Sequence, residues 1–102
     1  MQVHAKKRIE VIIEAPVAPR LAKLLNSHDR GYTMLPVLGG SGKSGPWTRE
    51  GQVSSAGGMV AFVVILDESA LEPLIESIYA LVERHVGVLA VSDCSVIRAG
   101  KF

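Results

Sequence analysis

Met59-Val60-Ala61-Phe62-Val63-Val64-Ile65-Leu66 is the stretch that decides the fold. It is almost wholly apolar, rich in β-branched side chains and free of polar alternation, which describes a central strand covered on both faces. Ser69-Ala70-Leu71-Glu72 follows in the pattern of a capping box, with Asp67 and Glu68 placed near the helix's positive end. Leu71, Leu74, Ile75, Ile78 and Val82 then recur at helical spacing, predicting an amphipathic helix that ends near Arg84 and His85. Gly87 opens a last strand over Val88 to Arg98.

Upstream, Ile9, Val11 and Ile13 alternate with Arg8, Glu10 and Glu14, so Lys7 to Ala15 reads as a strand with one buried face. Ile12 breaks the polar side. Pro16 ends the strand and Pro19 suits a first helical turn. Leu21, Leu24, Leu25 and His28 place an amphipathic helix over Ala18 to His28, and Gly31 closes its exit. Tyr32 to Leu38 reads as a strand that Pro36 confines to an edge or a bulge.

The order is therefore β-α-β-β-α-β. Right-handed crossovers turn it into a four-stranded antiparallel sheet with both helices on one face, the ferredoxin-like α+β architecture. Its other face has no helix to cover it. The apolar third strand needs cover there, so oligomerisation is the physical expectation.

With 102 residues, one domain over 1–102 is expected. Area scaling gives a folded surface of ~5,600 Å² and burial of about 65% of the unfolded chain's surface, enough for one core. The 48% hydrophobic and 21% charged fractions exclude disorder as a description of the whole chain. A net charge of +1 gives no basic footprint for nucleic acid. Cys94 is the only cysteine, so an internal disulfide and a multi-cysteine zinc site are both ruled out. The N-terminus lacks a signal peptide's layout, and the longest apolar run, Gly57 to Leu66, is too short to span a bilayer. A soluble cytoplasmic protein without membrane insertion is the expectation.

Seven of the ten glycines fall between Gly39 and Gly58, which reads as a long flexible loop. Gly42-Lys43-Ser44 resembles the end of a Walker A loop, but Val37 stands where that motif needs its first glycine. What remains is a glycine- and serine-rich run beside one lysine. It is either a solvated loop or a nest of backbone N–H groups for a phosphate or small oxyanion. Trp47 either docks on a partner or tucks back onto its own subunit, and Arg49 keeps company with it. His4, His28 and His85 are scattered without ligand spacing, so no metal site is expected, and no nucleophile motif marks a catalytic residue. Arg98, after Ser95-Val96-Ile97, either flanks a strand end or aims at phosphate oxygens.

Several of these stretches together resemble the PII signalling superfamily. Gly31-Tyr32-Thr33 followed by Gly39 is similar to that family's entry into its T-loop, here about 39–58. Ser95-Val96-Ile97-Arg98 resembles its last strand, and Lys7-Arg8-Ile9-Glu10-Val11-Ile12-Ile13 its first. The glycine- and lysine-rich B-loop is reduced to Arg84-His85-Val86-Gly87, and Met59 stands where nitrogen-signalling members have a lysine. The sequence looks more like the PII-like branch associated with inorganic-carbon uptake and carboxysomes.

That resemblance implies a homotrimeric regulatory sensor, not an enzyme, with ADP or AMP in clefts between subunits. No covalent cofactor is implied. Thr33 with Val63, Val64 and Ile65 holds the base or ribose, beside apolar Ile12. Gly39, Gly40 and Ser41 offer backbone donors, while Arg84, Gly87 and Arg98 serve the phosphates. Gly42, Lys43 and Ser44 take bicarbonate or a terminal phosphate. Trp47 and Arg49 belong to a loop that ligand orders for a partner, such as a bicarbonate transporter or another carbon-uptake protein. Two rival readings remain from other classes. One is a small trimeric ferredoxin-like enzyme, against which no acid–base pair is visible. The other is a CutA- or ACT-type module binding metal or amino acid through His28, His85 and Glu83.

Overall fold

The computed structural model describes residues 1–43, 45–48 and 58–102, with Trp47 and Thr48 described through their backbone alone. Strand β1 runs His4–Glu14. It begins three residues before the predicted Lys7, because pairing with the last strand extends as far as His4 opposite Val96. Ile9, Val11 and Ile13 are fully buried on one face, as the alternation requires. A 3-10 turn, Ala15–Val17, leads into helix α1, Ala18–Ser27. Pro19 occupies its first turn, where a missing N–H costs nothing.

Strand β2, Thr33–Pro36, is shorter than predicted and forms the sheet edge, which suits a proline that cannot donate to a ladder. Strand β5, Met59–Leu66, matches its predicted bounds, and helix α2 spans Leu71–Val82. The predicted capping box does not form. Lys6 engages the Asp67 carboxylate, and a 3-10 turn, Glu68–Ala70, carries Ser69 inside it instead of ahead of the helix. Among the described residues no side chain caps the start of α2. Strand β6, Gly87–Val96, completes a sheet of order β2-β5-β1-β6 in which every neighbouring pair is antiparallel. This is the ferredoxin-like fold.

Part of the expected loop is ordered. Strands β3, Gly39–Gly42, and β4, Gly45–Thr48, form a separate two-stranded hairpin, with Gly39 opposite Thr48 and Gly42 opposite Gly45. Extended Gly and Ser backbones can pair like any others once the turn closes. Gly45, at φ 110°, adopts a backbone conformation open to glycine and to few other residues. Within the loop expected over about 39–58, 39–42 and 45–48 thus pair as a hairpin; Ser44 and residues 49–57 lie outside the described residues.

Ile9, Val11 and Ile13 meet Phe62, Val64 and Leu66 of β5, and Leu21, Leu25, Leu74 and Ile78 of the helices close the core. Each such side chain contributes about 1.5–3 kcal/mol on burial. Cover on both faces of β5 is not met within one chain: Phe62, Val64 and Leu66 are buried, whereas Val63 and Ile65 on the open face are half-buried. The accessible surface is 6724 Å², above the ~5,600 Å² expected for a monomer of this mass. Among the described residues no helix is long and apolar enough to cross a membrane.

Candidate functional site

The antiparallel register sorts the predicted ligand residues by face. Thr33 lies opposite Val63, Val63 opposite Glu10, and Ile65 opposite Arg8, so all share the open side of the sheet. Arg8 donates to Glu10 there, Nη2 to Oε1 at 3.4 Å. Ile12 lies on the same side between Ala61 and Val88. Val64 points the other way: at 1% exposure its side chain belongs to the core, and it contributes to the strand instead of to any ligand surface.

Where β1 ends, β6 begins and the hairpin turns, a cavity of ≈ 190 Å³ opens. Ile12, Gly42, Lys43, Gly45, Met59, Val86, Gly87 and Val88 line it. Four of these, Ile12, Gly42, Lys43 and Gly87, are predicted site residues brought together from separate parts of the chain. Lys43 sits at the hairpin turn and has no ion-pair partner among the described residues. Gly87 packs so closely on β1 that a Cβ would stand 2.8 Å from the Ile12 carbonyl oxygen. Met59, Val86 and Val88 were not predicted. Their one signal is position, since Met59 opens β5 and the two valines flank Gly87.

Other predicted residues stand apart from the cavity wall. Gly39, Gly40 and Ser41 lie on exposed β3, where one row of backbone groups pairs with β4 and the other row faces outward. Arg84 is exposed in the turn after α2. Arg98, also exposed, follows the far end of β6, and ten residues of strand put it roughly 30 Å from Gly87. Ser44 and Arg49 lie outside the described residues, as does the side chain of Trp47.

A larger cavity of ≈ 430 Å³ lies at the opposite end of β1, lined by Ala5, Lys6, Lys7, Glu68, Asp93, Cys94 and Ser95. Its cations are already matched. Lys6 pairs with Asp67, and Lys7 pairs with Asp93 at 2.5 Å and Glu68 at 3.8 Å. The hydrogen bond from Lys6 and its charge hold the Asp67 carboxyl below the usual carboxylate range. Asp93 pushes Lys7 above its ordinary value, chiefly through their hydrogen bond. In the smaller cavity Lys43, without an ion-pair partner among the described residues, meets glycine backbone.

The family described as nitrogen regulatory protein P-II matches residues 6–101. CPII from Thiomonas intermedia K12, a nitrogen regulatory PII-like protein solved with ADP, AMP and bicarbonate, is similar at 26% identity and a TM-score of 0.87; the match covers 99% of this chain and 96% of CPII. CPII bound to ADP and bicarbonate matches at 28% identity and 0.83, over 99% and 97% of the two chains. A PII-like protein from Thermus thermophilus, 17% identical with a TM-score of 0.81 over 100% and 99%, shares the fold. Comparison with curated proteins gives no match.

Proposed function

The chain belongs to the nitrogen regulatory P-II family, and we propose that it is a PII-like sensor binding ADP or AMP, with bicarbonate, between the subunits of a homotrimer. The observation that carries this reading is the cavity in which Ile12, Gly42, Lys43 and Gly87 meet. Its ≈ 190 Å³ falls below the ~300–1,000 Å³ usual for small-molecule sites, so one chain supplies only part of a cleft. Arg98 fits the same account. It lies too far from its own Gly87 to serve that cavity, but a neighbouring copy can present it.

In this reading Thr33, Val63 and Ile65 hold the base or ribose, and the outward row of Gly39 to Ser41 donates to phosphate. Arg84 and a neighbour's Arg98 balance phosphate charge. Lys43, with Gly42 and Ser44, takes bicarbonate or the terminal phosphate. CPII, bound to ADP and bicarbonate at 28% identity, supports this ligand pair. Ligand ordering of the loop beyond the paired hairpin changes what Trp47 and Arg49 present to a partner in inorganic-carbon uptake, an order–disorder mode of control without catalysis in the cytoplasm. Calorimetry with ADP and AMP, in bicarbonate and in chloride at equal ionic strength, tests the reading. Nucleotide binding that tightens in bicarbonate is expected; no adenine-nucleotide binding in either buffer overturns it.

A further inference from the structure

We infer that Glu14 is a positioning residue for the ligand cavity and that His85, held between Glu14 and Arg20, makes the cavity's affinity for anions depend on pH. The inference rests on the cavity being the ligand site. Val86, Gly87 and Val88 form one wall, and Ile12 stands across from them. The turn that carries this wall follows α2 directly and holds to the helix through Arg84 and His85 N–H groups donating to Leu81 and Val82 carbonyls. Gly87 and Val88 are tied to the sheet by the ladder that pairs them with Ile13 and Ile12, and Val86, just ahead of it, by a separate bond. Val86 N–H donates to Glu14 Oε1 at 3.0 Å, linking the wall to β1 two residues beyond Ile12. A bond to a carboxylate is stronger than one between neutral groups. One strand thus supplies the facing wall, the ladder that holds Gly87 and Val88, and the pin that places Val86.

His85 shares that pin. Its Nδ1 lies 3.6 Å from Glu14 Oε1, and its Nε2 lies 3.3 Å from Arg20 Nη2 on α1. These are the charged groups facing it among the described residues. A guanidinium only donates, so Nε2 must offer its lone pair, which leaves the proton on Nδ1 towards Glu14. The Arg20 hydrogen bond is one that only neutral imidazole can accept. Protonation sets N–H against N–H at Arg20, strengthens the attraction to Glu14, and takes the cluster from zero net charge to +1 beside the cavity wall. Cationic His85 favours an anion in the cavity, and by reciprocity a bound anion favours cationic His85. The gain is present at acid pH and fades as His85 loses its proton.

The test measures ADP binding by calorimetry for the wild type, His85→Gln, Glu14→Ala and Glu14→Gln at about pH 6 and pH 8. The ratio of wild-type to His85→Gln affinity cancels the titration of ADP itself. It should rise roughly three- to tenfold on going to the lower pH. Glu14→Ala should lose about tenfold in affinity at both pH values, and Glu14→Gln, which keeps an acceptor for Val86, should recover most of it. Amide exchange at Val86 without ligand reads the pin alone: slow in the wild type and Glu14→Gln, about tenfold faster in Glu14→Ala. A ratio that does not change with pH removes His85 from control, and unchanged Val86 exchange in Glu14→Ala removes the pin. Should Glu14→Ala not fold, Val86 exchange in Glu14→Gln and the His85→Gln ratio decide. Absence of ADP binding by the wild type overturns the ligand reading and the pH dependence with it, while Val86 exchange still decides the pin.

Discussion

Gly87→Ala is the substitution on which fold and site both depend. A Cβ at this position would stand 2.8 Å from the Ile12 carbonyl oxygen, 3.3 Å from Val82 Cγ1 and 3.7 Å from Ile13 Cγ1. Val82 can adjust its rotamer. The Ile12 oxygen cannot, because it belongs to β1, which is paired on both sides by β5 and β6. To restore ordinary contact at 3.4 Å, the start of β6 must retreat by about 0.6 Å. Overpacking of this kind costs ~1–3 kcal/mol. In a domain of this size each kcal/mol lowers Tm by roughly 4–8 °C, so a fall of at least about 4 °C is expected. Thermal unfolding should be compared at one protein concentration, since an oligomer's Tm depends on it. Gly100→Ala, with nothing within 4 Å of the added methyl, is the control and should be near neutral. ADP affinity should fall for Gly87→Ala as well, because the wall beside Ile12 moves. A Gly87→Ala Tm equal to that of the control would refute the close-packing account of the cavity wall.

Light scattering after size exclusion should give three times the chain mass, and a monomer at micromolar concentration would refute the intersubunit site. Arg98→Ala should weaken ADP binding by ~1.5–3 kcal/mol in calorimetry, as for a hydrogen bond to a charged group; equal affinities would remove Arg98 from the site. Lys43→Ala should reduce the tightening of ADP binding by bicarbonate while leaving binding in chloride largely intact, measured by parallel titrations in the two buffers. Because Lys6 lowers the folded-state pKa of Asp67, that carboxylate stabilises the fold above its ordinary pKa of 3.8, and the contribution is lost as pH falls through the depressed value. Lys6→Met should therefore flatten the acid limb of the stability curve, read from denaturant midpoints below about pH 5.

The elements were legible where one physical signal dominated. Alternation at Ile9, Val11 and Ile13 identified β1, and the unbroken apolar run from Met59 to Leu66 identified β5. What escaped depends on contacts between distant residues. The capping box at Ser69 does not form because a 3-10 turn takes over the helix start, and Asp67 ahead of that turn is engaged by Lys6, 61 positions away. The hairpin from Gly39 was hidden because glycine has weak strand preference and only the closing turn at Gly45 makes the pairing possible. Within the cavity, Gly87 and Lys43 were readable as residue types with a chemical use. Val86, Val88 and Met59 carry no such mark and are recruited by adjacency alone. Glu14 looked like the polar side of an amphipathic strand, and its bond to Val86 spans 72 positions of sequence.

The open face of the sheet ties assembly to the ligand site through its order of residues. Ala61, Val63, Ile65 and Ile12 form an apolar field interrupted by Arg8 and Glu10. Burying an isolated charge there would cost several kcal/mol, but these two already face each other at 3.4 Å and can enter an interface as a pair, each a little over one-third exposed in the single chain. Cover by another copy is therefore compatible with the middle of the sheet. The end of β1 is built otherwise. From Ile12 onward the neighbours are Met59, Gly87 and the hairpin turn, and they leave a hollow where the middle of the sheet offers a continuous surface. A second copy laid across Val63 and Ile65 would close the field and roof this hollow without filling it. The cleft and the interface then share one surface, so a ligand held in the cleft by groups from both copies must also strengthen their association.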